Sequence, residues 1–167
     1  DIHTKYKAMY DSEKQPPPFI NDDLFFRTRD SDHYCKVGDL VIADASEDYA
    51  DIGKAIEIIN MGDNKIVSGL HTILGRDNND QTVVGFKGYL FQSYNLSLQL
   101  KRLSQGVSVL GITKTNLSKI NVSVPSNEEQ AKICEFLMAV DRKIESISNQ
   151  IELTQIFKKG LLQQMFI

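Results

Sequence analysis

Between Gln81 and Val124 the chain carries Lys87, Lys101, Arg102, Lys114 and Lys119 and not one Asp or Glu. Cations in an acid-free run suit phosphate contact: each one that neutralises a phosphate releases condensed counterions, and small polar side chains donate to phosphate oxygens. The same run interleaves Tyr89, Tyr94, Ser104, Gln105, Ser108 and Thr113 with its cations, and Gly106 and Gly111 in LSQGVSVLGITKT let backbone amides approach a phosphate. Such contacts position a protein without reading sequence. Base edges are read by bidentate groups, Arg on guanine or Asn and Gln on adenine. Gln105, Arg102 and Arg76 are the candidate readers, while Ser46, Tyr49 and His71 lie in or beside loops that reach a base edge. Taken singly, a Lys or Arg at a helix end is more often solvated surface than a ligand contact. The absence of acids from the whole run is what favours the group. Tyr89 and Tyr94 are expected in the core, and His71, flanked by Leu70 and Ile73, half-buried on a strand.

Other chemistry is less well supported. Asp63-Asn64-Lys65 is a D-x-K triplet of the kind nucleases use, with Asp51 and Glu57 upstream, but MGDNK reads better as a hairpin turn, whose geometry Asp and Asn favour. No G-x-G-x-x-G, phosphate loop or nucleophile elbow occurs. No catalytic residue, metal or cofactor is therefore expected. Cys35 and Cys134, in different segments, suggest neither a zinc site nor a disulfide framework. The formal net charge of -3 conceals an asymmetry: residues 1–80 hold nine basic against sixteen acidic residues, so the basic island stands between an acidic first half and a nearly balanced end. No apolar run approaches the roughly 20 residues of a membrane span and the first residues form no apolar signal, so a soluble, cytoplasmic protein is expected.

The elements that must hold these residues follow from periodicity. Val37–Ala43, Lys54–Ile59 and Lys65–Ser68 read as strands, the last two joined by the MGDN turn, and His71–Leu74 is a further candidate. Tyr89–Leu103 approaches helical spacing, with Lys101 and Arg102 where cations suit the helix dipole. A small-residue loop, a short turn at Asn116–Lys119 and a strand INVSV follow, running into Pro125. Ser126 and Glu129 then form a capping box that opens a helix expected over about 127–159, with Gly160 weakening its last turns. Its apolar residues keep alternating spacings of four and three: Ile133, Leu137, Val140, Ile144, Ile147, Ile151, Leu161 and Met165, broken at Thr154 and Lys158. That is a coiled-coil seam, which Phe136 and Phe157 widen on one side, on a rod of roughly 50 Å, too long for a domain of this size to cover. The expected fold is α+β: a mixed-sheet domain with short helices over 1–125, then a long coiled-coil-type helix over 126–167.

The run from Gln105 to Phe166 resembles the end of a specificity subunit of type I restriction-modification enzymes. The likeness is carried by the small-residue loop Gly106–Thr113, the strand into Pro125, Glu129-Gln130 after it, Phe136 to Asp141, and the closing KKGLLQQMF. Upstream, KVGDLVIADASED and the helix before Arg102 also resemble that family's target recognition domain. About residues 35–167 are covered, and the P-x-x-x-EQ element ahead of a heptad helix is the specific part.

The resemblance implies a DNA-reading module without catalysis of its own. Such subunits carry two target recognition domains, each reading half of a bipartite duplex site, separated by two long helices that pack antiparallel. The helices dock methyltransferase subunits, which bring S-adenosylmethionine, and through them a motor and nuclease subunit. This chain, which begins at Asp1 and lacks an internal repeat, has one domain and one helix. It is expected to be a cut half or a natural half-subunit that pairs with a second copy or another half. The rival reading, from another class, is a helical oligomerisation or adaptor protein that binds no DNA, whose basic island balances acidic neighbours.

Overall fold

The computed structural model describes residues 8–16, 18, 19, 34–106 and 109–166. The chain divides after Gln130 into two compact units. In the first, strands β1 (Met9–Asp11), β2 (Leu40–Ala43), β4 (Ala55–Asn60) and β5 (Thr72–Gly75) form one sheet in the order β1-β4-β2-β5. Strand β1 runs parallel to β4; the other pairs are antiparallel. A second, two-stranded ribbon pairs β3 (Ala45–Ser46) with β6 (Leu110–Gly111). The helices among the described residues are α1 (Phe86–Gln92), α2 (Tyr94–Leu103), α3 (Lys114–Leu117) and α4 (Asn127–Met165). A mixed sheet with short helices and one long helix is the α+β class the sequence implies.

Alternation along the strands buries the sheet on both faces. Val41, Ile56 and Ile58 join Tyr10 and Cys35 on one side, while Leu40, Ile42 and Ala55 gather Ile73, Phe91 and Leu117 on the other. Burial, with the Asp39 carboxylate adding to it, pushes the Cys35 thiol up to about 11, so it stays an unreactive core residue. A third cluster, Ile52, Leu96, Leu100 and Ile112, lies beneath the ribbon and fastens loop 46–54 to α2. Gly53 belongs to that contact: with φ +69, a Cβ there would stand 3.0 Å from Leu100, so only glycine suits both conformation and space.

Three elements differ from the periodicity reading, each for a physical reason. Lys65–Ser68 is not a strand; it makes a single bridge, Val67 to Tyr34, because both edges of β4 are already occupied by β1 and β2. The MGDN turn does form, with Gly62 at φ +51 donating its N–H to the Asn60 side chain at 3.0 Å. Tyr89–Leu103 is two helices rather than one: Ser93 takes an extended conformation, ends α1 and caps α2 through its hydroxyl. INVSV joins no ladder. The Gln99 side chain stands in for a strand partner, accepting from Asn121 N–H at 3.1 Å and donating to Asn121 O at 2.9 Å.

The second unit is the greater part of α4, which spans 39 residues, about 58 Å at 1.5 Å per residue. It passes through Gly160, whose cost of about 1 kcal/mol does not outweigh the helix formers around it.

The first turn of α4 belongs to the first unit and explains the Pro125-to-Gln130 pattern. Gln130 is fully buried, and its amide is used at both ends. The oxygen accepts from Val83 N–H at 2.9 Å; the nitrogen donates to Pro125 O at 2.8 Å and Gln81 O at 3.0 Å. One side chain thus fixes where the helix begins against loop 81–83. Half of the expected capping box is present, as Glu129 N–H to Ser126 Oγ, long at 3.4 Å; the return bond from the Glu129 side chain is not made. Because Gln130→Ala leaves one part-buried donor and two acceptors without their partner, it should cost about 2 kcal/mol of unfolding free energy; urea titration of the two proteins measures it, and a loss below about 0.5 kcal/mol would contradict the clamp.

Candidate nucleic-acid interface

The ribbon brings together candidates from two distant stretches of sequence. Ala45 pairs Gly111 and Ser46 pairs Leu110, and beyond them Ile112 N–H donates to Asp44 O at 2.7 Å while Gln105 and Gly111 exchange backbone bonds at 3.0 and 2.8 Å. Ser104 ends α2, its hydroxyl donating to Lys101 O. Thr113 caps α3, accepting from Asn116 N–H, and the Asn116 side chain donates to Leu103 O at 2.8 Å. The end of α2 with Lys101 and Arg102 is therefore tied to the start of α3 with Lys114. Lys101 lies 5.5 Å from the centre of the exposed Tyr49 ring, a cation–π contact that joins loop 46–54 to the same group.

His71 reaches this end of the molecule as well. Asp44 N–H donates to His71 O at 3.3 Å, and His71 Nδ1 stands 3.8 Å from Asp44 Oδ1. Its side chain is 90% exposed, so the expected half-burial is corrected: β5 begins one residue later, at Thr72. Tyr94 is likewise 78% exposed rather than core, because Leu96 and Leu100 form the buried face of α2.

Two candidates have other duties. Arg76 flanks the far end of β5, about 16 Å from His71 at 3.3 Å per strand residue. Its guanidinium forks onto buried Asp39, at 2.7 and 3.0 Å, and donates to Tyr34 O at 2.8 Å. Lys87 is buried in α1, donating to Thr82 Oγ1 at 2.6 Å with Glu57 Oε1 at 3.5 Å. Burial pushes the Glu57 carboxyl up, against the pull of the Gly88 and Gly85 amides and the Lys87 ammonium. Glu57 Oε2 accepts from Gly88 N–H at 2.8 Å, so this buried carboxylate holds the first turn of α1 on β4. Gly88 permits the approach, since a Cβ there would sit 2.5 Å from Ala8 O. Thr82 also bonds Asp77, holding that carboxyl below its usual range. These long-range pairs carry no spacing signal and were not legible in the sequence.

Ser46 is buried and its hydroxyl is spent on loop geometry, donating to Asp48 O at 2.9 Å and accepting from Asp48 N–H at 3.1 Å. It shapes loop 46–54 instead of pointing outward. Arg102, Gln105, Thr113 and Lys114 are exposed, and Ser108 lies outside the described residues. The D-x-K triplet assembles no centre: Glu57 is held under α1, Asp51 lies 3.8 Å from Lys54, and among the described residues no three His, Cys, Asp or Glu gather as a metal site would need. No helix among those residues is long and apolar enough to cross a membrane. What the ribbon end offers is a patch of exposed cations, amide and hydroxyl groups, with Glu47 and Asp48 exposed beside them.

Comparison with known proteins agrees with the pattern. The chain is 27% identical over 138 residues to a Haemophilus influenzae protein that bears a type I restriction enzyme specificity subunit name, S.HindORF215P, covering 83% of this chain and 32% of that one. It is 33% identical over 79 residues to the type I restriction enzyme MjaVIII specificity subunit of Methanocaldococcus jannaschii, covering 47% of this chain and 19% of that protein. The chain thus spans about a fifth to a third of the relatives it matches. The family model for the type I restriction modification DNA specificity domain matches residues 26–155, from ahead of β2 well into α4. With most of its length inside that match, and the buried Gln130 accounting for the family-like junction, the chain belongs to the type I restriction modification DNA specificity domain family.

Proposed function

We propose that this chain is a non-catalytic DNA-reading half of a specificity subunit, which lays its ribbon end on one half of a bipartite duplex site and pairs through α4 with a second copy or another half. Methyltransferase subunits dock on the helix and supply the chemistry; a motor and nuclease subunit joins through them. The observation that carries the DNA reading is the convergence of Lys101, Arg102 and Lys114 with Gln105, Tyr49 and His71 around one ribbon. Lys87 and Arg76 are left out of the contact because their charges are committed to Glu57 and Asp39. The pairing through α4 is supported by its seam: Val140, Ile144, Ile147 and Ile151 are each at least 40% exposed in the single chain, far more contiguous apolar surface than isolated exposed residues account for.

Salt dependence tests the first half of the proposal. In complex with its methyltransferase subunits, the chain should bind duplex DNA with an affinity that falls steeply between low and moderate salt. Replacing Lys101, Arg102 and Lys114 together by alanine should flatten the log–log slope by roughly 0.9 for each phosphate contact removed, two to three in all. An unchanged slope would move the contact elsewhere, and a flat response of the unaltered complex would favour the adaptor reading. For the helix, Val140→Asp with Ile147→Asp should abolish pairing, seen as a fall in solution mass by light scattering; an unaltered mass would count against the seam.

A further inference from the structure

The patch contains two exposed carboxylates, Glu47 and Asp48, that phosphate contact does not explain, and Glu47 is the one without an internal partner among the described residues. Glu47 follows β3 directly, is exposed, and its carboxylate makes no hydrogen bond or ion pair among the described residues. Its neighbours are spoken for: Asp48 Oδ1 accepts from Ala50 N–H at 2.8 Å, and Asp51 stands 3.8 Å from Lys54 Nζ. The loop that presents Glu47 is stiff. Ser46 Oγ is bonded to both backbone groups of Asp48, Asp51 N–H donates to Asp48 O at 3.1 Å, and Ile52 is buried against Leu96, Leu100 and Ile112. The nearby Lys101 ammonium lies over the Tyr49 ring.

Set against DNA, a carboxylate carried on this face by a braced backbone has two consequences. Near phosphates it repels, and that repulsion weakens binding to every sequence alike. In the major groove it finds hydrogen-bond donors only on cytosine N4 and adenine N6, since the guanine N7 and O6 and thymine O4 edges are acceptors that would repel it too. We infer that Glu47 is a specificity-determining residue that accepts a hydrogen bond from the exocyclic amino group of a nucleobase, rejecting other bases by leaving its charge unpaired. Ser46 is the positioning residue that holds the loop for it. The surrounding cations supply affinity, and Glu47 spends part of it on discrimination.

This inference rests on the DNA-reading function proposed above, and one experiment separates the two. The chain in complex with its methyltransferase subunits is presented with a randomised duplex pool, and the bound sequences and the affinity for an unrelated duplex are measured for the unaltered protein and for Glu47→Ala. The exposed position of Glu47 makes the substitution harmless to folding. At one position of the selected half-site the preference for an amino-bearing base should fall roughly five- to hundred-fold, the worth of one good base contact. At the same time binding to the unrelated duplex should tighten at low salt. Identical preferences in both proteins, with the unaltered complex still selecting a site, would overturn the role of Glu47 and leave the DNA-reading proposal standing. An unaltered complex that selects no sequence would overturn both.

Discussion

A two-pair ladder, Ala45 with Gly111 and Ser46 with Leu110, is the contact on which the candidate interface depends. Two paired residues on each side are too few to stand alone in water. They hold because Ile52, Leu96, Leu100 and Ile112 close a buried cluster beneath them and because Ile112 N–H reaches Asp44 O one step further on. Through this ladder an acidic segment that follows β2 is laid beside the end of α2 and the start of α3, which carry the cations. Without it Tyr49 and Lys101, 52 positions apart in the chain, have no reason to meet.

Charge has to be considered at the same scale. A chain of net charge -3 is a poor polyanion ligand on average, but attraction depends on the local field, and the ribbon end exposes Arg102 and Lys114 with Lys101 close by. The acidic first half does not simply turn away from that surface, because Glu47 and Asp48 lie on it. Cations and carboxylates side by side give weaker attraction and a sharper requirement on what is bound. Two ion pairs on buried carboxylates serve the scaffold: Arg76 with Asp39 closes one end of the sheet, and Lys87 with Glu57 seats α1 upon it.

Much of this was legible in the sequence where the signal is local. The acid-free run, the break at Pro125 and the heptad spacing of α4 are visible in neighbouring residues, and the helix, the family resemblance and the α+β class follow from them. Strand pairing was less legible. Lys65–Ser68 has strand-like composition, yet the parallel arrival of β1 on β4 closes the edge it would have used, and nothing in Met9–Asp11 announces that. INVSV alternates well and still pairs with no strand, because a glutamine side chain 22 residues earlier meets its backbone first. The site shows the same division: Lys101, Arg102 and Lys114 were marked by composition, whereas the internal partners of Lys87 and Arg76, at separations of 30 and 37 residues, were not.

Duplex DNA is proposed to meet the ribbon end of the domain and not the opposite end of its sheet, where Lys36 N–H bonds Asp39 and Lys65 follows the turn after β4. Lysine acetylation read by mass spectrometry, on the methyltransferase complex with and without duplex carrying its site, tests this directly. Lys101 and Lys114 should lose reactivity on adding DNA while Lys36 and Lys65, both exposed, keep theirs. Protection of Lys36 and Lys65 with Lys101 and Lys114 still freely modified would contradict it.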